Sequence, residues 1–263
     1  MTNKKTVHFI IERQDSPNSA PYTEEFVLPY KPAMNVVSSL MEIQKNPVTK
    51  EGKKTTPVVW ECNCLEKVCG ACMMVINGKA RQACATLVDK VSQPIRLAPA
   101  RTFPVIRDLQ IDRSAMFESL KRIQGWIEID GTWEVNTAPI QNPYTAATAY
   151  EIAHCMTCGC CLEACPNVGP QSDFIGPAPT VQAYLFNLNP LGSFNKEKRL
   201  NALMEKGGIT GENAAQILSE VRRNAGTMAT AFENQLDALY AAESMDLSAD
   251  LTVLQNMLKG QGL

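Results

Sequence analysis

Cys64, Cys69 and Cys72 form a C-x4-C-x2-C trio, and Cys84 follows after eleven more residues. A chain that gathers four thiolates at one point must fold around that point, and this spacing suits a two-iron, two-sulfide (2Fe-2S) cluster. A second set, Cys155, Cys158, Cys161 and Cys165-Pro166, follows the C-x2-C-x2-C-x3-C-P run of bacterial ferredoxins. In that run the fourth cysteine ligates a different cluster from the first three. Two cluster motifs of different type, about ninety residues apart, imply an electron relay.

The rest of the composition narrows the setting of those motifs. All 10 cysteines lie between 62 and 165, and no secretory signal precedes them: MTNKKTVHFIIERQD holds only a short apolar run before charge returns. In a reducing compartment such cysteines point to metal or redox ligation rather than disulfides. With 25 basic and 27 acidic residues and no long block of either sign, the chain carries no footprint for nucleic acid or anionic lipid. No apolar stretch reaches the roughly 18 to 20 residues of a membrane span. The expectation is a cytoplasmic protein whose membrane contact, if any, runs through a partner.

Periodicity predicts the elements that carry the motifs. VHFIIER (7 to 13) alternates as a strand, with EEFVLPY (24 to 30) as its hairpin partner. From Ala33 to Gln44, apolar residues at 36, 37, 40, 41 and 43 predict a helix that stops before Asn46-Pro47. Asn77-Gly78, inside MMVINGKARQACATLV, is the strongest hairpin signal in the chain. Another helix is expected between Asp112 and Ile123, then a polar loop over residues 130 to 145. From Ala146 onward Gly-Pro loops separate helical stretches, and the second half reads as all-helical.

A two-residue turn at Asn77-Gly78 pairs Ile76 with Lys79 and, further out, Cys72 with Ala83, which sets Cys84 diagonally beside Cys72. Gly70 and Ala71 leave room for the backbone to approach the cluster and donate N–H bonds. A four-cysteine zinc site is the alternative, but zinc favours two close pairs around a long insert over a compact trio plus one. In the second set, cysteines every three residues on a turn entering a helix direct three sulfurs at one point, with Pro166 ending or bending the helix. Cys62 and Cys160 are surplus and are expected to pack, and His154 is expected at the surface. After Cys165 the remaining 98 residues contain no cysteine and no histidine.

The chain resembles the iron–sulfur subunits of succinate dehydrogenase and fumarate reductase. The resemblance rests on NCLEKVCGACMMVINGKARQAC and CMTCGCCLEACPNVG, with FIGPAP (174 to 179) and FNKEKRLNALMEKGGI (194 to 209), and spans roughly residues 5 to 209. It implies an α+β chain: an N-terminal β-grasp 2Fe-2S ferredoxin-like domain (1–110), a C-terminal all-helical ferredoxin domain (111–209), and an atypical helical tail (210–263). Carried over residue by residue, Cys64, Cys69, Cys72 and Cys84 hold the 2Fe-2S cluster. Cys155, Cys158 and Cys161 supply three corners of a 4Fe-4S cluster whose fourth ligand is missing, and Cys165 one corner of a 3Fe-4S cluster whose other ligands are missing. The family also implies an FAD-containing flavoprotein partner, a cytochrome b-type membrane anchor with quinone nearby, and a position on the cytoplasmic face of the membrane held through those partners. No residue of this chain is then catalytic, and the absence of a G-x-G-x-x-G fingerprint agrees with a flavin held elsewhere.

Two departures stand against that pattern. Family members supply three further cysteines in a C-x5-C-x3-C-P run, where this chain instead shows an amphipathic seam through Leu218, Val221, Ala225, Met228, Phe232, Leu236 and Leu239, followed by a short helix from Ser248 to Gly260. Beside the second CP, where many members carry a tryptophan pair at the quinone pocket, the residues are Asn167-Val168-Gly169. Trp60, Trp126 and Trp133 all lie before the second cysteine set and are expected to pack a core or an interface. Alternative readings are an assembly or interaction protein that keeps only the 2Fe-2S cluster, and a redox subunit of a different complex, against which the N-terminal cysteine loop argues.

Overall fold

In the computed structural model the described residues are 6–128, 140–169, 172–205 and 207. The expected tail helices, Trp133 and most of the 130 to 145 loop lie outside them. By its internal contacts the chain divides into two units, Met1–Thr210 and Gly211–Leu263, and the described elements all belong to the first.

Strand β1 (Thr6–Arg13) alternates strictly, burying Val7, Phe9, Ile11 and Arg13 on one face. It pairs antiparallel with β2 (Tyr22–Pro29), with Phe9 opposite Phe26. Next comes α1 (Val36–Lys45), which starts at a reciprocal cap in which Asn35 and Ser38 each accept the other's backbone N–H. Its buried side, Val36, Val37, Leu40 and Ile43, joins Phe9, Ile11 and Phe26 in the first core. β3 (Met73–Ile76) and β4 (Lys79–Gln82) form the Asn77-Gly78 hairpin, with Ile76 opposite Lys79. Both turn residues have positive φ, 49° and 76°, as this turn type demands. β5 (Ile95–Ala98) runs parallel to β1 and antiparallel to β3, closing a five-stranded mixed sheet of order β2-β1-β5-β3-β4. A short pair, β6 (Val105–Arg107) and β7 (Gln110–Ile111), follows.

The helical half comprises α2 (Ser114–Arg122), α3 (Pro143–Ala153), α4 (Cys160–Ala164), α5 (Pro177–Leu188) and α6 (Lys196–Met204). The α+β reading holds, and from Ala146 onward the described residues contain no strand. One boundary is corrected: the polar loop ends earlier than expected, because Asn142 accepts the Tyr144 N–H at 2.8 Å and Pro143 opens α3. The halves share a second core, in which Met73, Ala100 and Phe103 pack with Met116, Leu162 and Ala178. A third, smaller core of Ile123, Ala183 and Ala202 lies within the helical half. Among the described residues no helix is long and apolar enough to cross a membrane.

Candidate iron–sulfur site

The loop from Cys64 to Cys72 curls because three of its residues take positive φ: Leu65 at 61°, Lys67 at 64° and Gly70 at 73°. Backbone turned this way aims successive N–H groups inward. Glu66 and Val68 donate to Cys64 Sγ at 3.4 Å, and Cys64 and Ala71 to Cys69 Sγ at 3.5 Å. On the hairpin, Ala83 N–H bonds the Cys72 carbonyl at 3.1 Å, which sets Cys84 N–H 3.4 Å from Cys72 Sγ. The expected juxtaposition of Cys84 and Cys72 is thus a matter of strand register. Cys72 and Cys84 are buried, whereas Cys64 and Cys69 are half-buried on the loop.

Electrostatics separate Cys64 from Cys72. The N–H groups of Val68 and Glu66 pull the Cys64 thiol down to about 7, while burial pushes Cys72 up to about 11. Five N–H groups directed at three sulfurs would stabilise thiolates bearing negative charge, the form in which cysteine ligates metal. This donor set fits a 2Fe-2S cluster. Among the described residues no three Cys, His, Asp or Glu side chains close on a point that would hold a single ion.

In the second set the chain leaves α3 at His154, whose Nδ1 lies 2.9 Å from the Tyr150 carbonyl, so the exposed imidazole caps its own helix. Thr157 and Gly159 take positive φ, 52° and 87°, and turn the backbone into the short helix α4. Cys155, Cys158 and Cys165 are half-buried and Cys161 is exposed. Cys165 is extended, as the residue before Pro166 must be, and ends α4. A hydrogen bond from the Cys160 side chain is the main reason that Cys158 is drawn down to about 6, and it pushes Cys160 up. The Cys160 N–H adds a bond to Cys158 Sγ at 3.5 Å. Cys160 packs against the second core, but Cys62 is exposed, which corrects the expectation that it packs. Trp60 packs on the first core, whereas Trp126 is largely exposed.

The two cysteine sets meet directly. A Cβ built on Gly70 would lie 2.7 Å from the Cα and Cβ of Cys158, so only glycine permits this approach. Gly70 also gives its carbonyl to Arg113 Nη1 at 3.1 Å. Thr102 N–H donates to Glu163 at 2.8 Å, a further tie between the halves. Sequence reasoning missed Arg113 and Glu163, and it missed Gln82, whose carboxamide lies between Cys72 and Cys160. A polar residue at the end of a four-residue strand gives no sign of such a role, since the partner lies in the other half of the chain.

Comparison with known proteins places the chain among iron–sulfur proteins. The 2Fe-2S iron-sulfur cluster binding domain family matches residues 8–118. The chain is 58% identical over 209 residues to the Bacillus subtilis succinate dehydrogenase iron-sulfur subunit, covering 80% of this chain and 83% of the relative. It is 28% identical over 212 residues to the Haemophilus influenzae fumarate reductase iron-sulfur subunit, covering 76% and 80%. Among solved structures, a chain of the Mycobacterium smegmatis Sdh1 complex in the apo form shares the fold. Its TM-score is 0.57 at 20% identity, covering 74% of this chain and 82% of that one.

Proposed function

The chain belongs to the iron–sulfur subunit family of succinate dehydrogenases and fumarate reductases, and we propose that it relays electrons between a flavoprotein subunit and quinone at a membrane anchor. The observation that carries this reading is the N–H-lined loop of Cys64, Cys69 and Cys72, completed by Cys84 and set against Cys158 through Gly70. When bound, iron–sulfur clusters supply one-electron redox centres. The residues of this chain hold and tune them. We assign Cys64, Cys69, Cys72 and Cys84 to the 2Fe-2S cluster, Cys155, Cys158 and Cys161 to a 4Fe-4S cluster, and Cys165 to a 3Fe-4S cluster. The backbone at Ala71 contributes an N–H at the first of these sites, and Gly70 allows the close approach of the second.

In this reading no side chain of the subunit touches succinate or fumarate. It sits on the cytoplasmic face of the membrane through an FAD-containing flavoprotein and a cytochrome b-type anchor. The proposed divisions are 1–110, 111–209 and 210–263. A second reading is favoured by one feature, the lack of any cysteine after Cys165. It is that the chain keeps only the 2Fe-2S cluster and serves assembly or docking.

Iron and acid-labile sulfide per chain, with electron paramagnetic resonance before and after dithionite, separate the two. About nine irons with an oxidised three-iron signal support the relay, and about two irons with one reduced signal support the second reading. Cys84→Ala is expected to abolish the two-iron signal and leave any helical-half signal in place. Survival of both signals would refute the ligand assignment.

A further inference from the structure

We propose that Arg113 is a positioning residue for the 2Fe-2S cluster: from the start of the helical half it holds the Gly70–Ala71 peptide with its N–H on Cys69 and, as a cation, raises the reduction potential. The proposal rests on the assignment of Cys69 as a cluster ligand. Local rules do not ask for an arginine here. Arg113 stands at the N-cap of α2, where Ser, Thr, Asp and Asn are favoured and a cation opposes the helix dipole, and its side chain makes no capping bond. It reaches back to the cysteine loop instead. Nη1 donates to the Gly70 carbonyl at 3.1 Å and Nη2 to Glu61 at 3.3 Å.

In a trans peptide the carbonyl and the following N–H point opposite ways. The peptide that gives its oxygen to Arg113 therefore gives its N–H, on Ala71, to Cys69 Sγ at 3.5 Å. The Met73 N–H shares the same carbonyl at 3.2 Å. Hydrogen bonds in series polarise one another, so a cation at the oxygen strengthens the donor at the sulfur. That donor and the positive charge both favour the state with more negative charge, the reduced one. Glu61 opposes this effect. Its other oxygen accepts the Gln110 amide at 3.1 Å, which fixes the carboxylate beside Arg113. The Glu61 side chain is 36% exposed against 15% for Arg113, so water screens the carboxylate more than the cation.

The test is a redox titration of the 2Fe-2S signal by electron paramagnetic resonance in the iron-loaded full-length chain. It compares the wild type with Arg113→Gln, Arg113→Lys, Glu61→Gln and the double variant Arg113→Gln/Glu61→Gln. Arg113→Gln should shift the potential to more negative values, and Arg113→Lys, which keeps the charge, should shift it less. Glu61→Gln, which leaves the cation without its counter-charge, should shift it to more positive values, and the double variant should fall between the two glutamine variants. Loosening of the fold alone would move both glutamine variants the same way or neither. An unmoved or more positive potential in Arg113→Gln, or equal shifts in Arg113→Gln and Arg113→Lys, would overturn the proposal. So would a potential in Glu61→Gln that stays in place or turns more negative. If Arg113→Gln does not take up iron, that last comparison decides alone. A two-iron signal that survives Cys69→Ala would overturn the ligand assignment instead, a result distinct from an intact cluster with an unmoved potential.

Discussion

Arg13 occupies an inward position of β1, where Val7, Phe9 and Ile11 lead one to expect another apolar side chain. It is accommodated because Asp108 receives it through two bonds, Nε at 2.8 Å and Nη2 at 3.2 Å, while Glu24 and Thr56 take the remaining donors. Burial disfavours the cation, but the hydrogen bond and charge of Asp108 outweigh it and raise the pKa of Arg13. Asp108 also accepts the N–H groups of Gln14 and Val59, which ties three segments to one carboxylate. Asp108→Ala leaves a buried cation short of its partner and is expected to cost about 3 to 5 kcal/mol. Denaturant titration measures this, and a loss below about 1 kcal/mol would show that water reaches Arg13. No sequence pattern links residues 95 positions apart, so this pair was not legible. The thiols offer a second check. In metal-free protein Cys64 and Cys158 should alkylate first, because their pKa values are lowered to about 7 and about 6. Their thiolates persist at neutral pH, and the reaction should slow as pH falls through those values. Mass-spectrometric mapping that found the buried Cys72 reacting first would contradict it.

Among the elements, the β3–β4 hairpin was the most legible, since Asn77-Gly78 specifies both its turn and its register. Its consequence for the site is mechanical, because the register brings Cys84 to Cys72. Gly78→Val places a β-branched residue at φ 76°, which costs about 1 to 2 kcal/mol in backbone strain alone. The expected outcome is a lower 2Fe-2S content per chain, read by spin quantitation, with helical-half iron unchanged. Equal loss from both halves would mean the hairpin supports the whole fold rather than the ligand. Helix α1 was legible for a related reason, its local 3.6-residue period, but it starts at Val36 behind the Asn35 cap rather than at Ala33 as expected. The start of α3 carried the same kind of signal, Asn142 before Pro143, and was obscured by the surrounding polar residues.

At the scale of the whole unit, what matters is how closely the two cysteine sets approach, because in the proposed relay electrons pass between them. Gly70 and Gly52 both have positive φ, 73° and 81°, but nothing lies within 4 Å of a Cβ at Gly52. Gly52→Ala should therefore cost about 1 kcal/mol, the price of left-handed backbone alone. Gly70→Ala adds a collision with Cys158 and is expected to lower the melting temperature further and to slow electron exchange between the halves. Equal melting temperatures for the two variants would mean that the contact gives way freely. The sequence by itself determined the cysteine sets and their spacing, the alternating strands and the hairpin, because each is encoded by neighbours within about ten residues. Only the tertiary structure decided that Gly70 touches Cys158, that Asp108 neutralises Arg13 and that Gln82 lies between Cys72 and Cys160. Those contacts join residues tens of positions apart, and chain closure and side-chain packing set them rather than any local period.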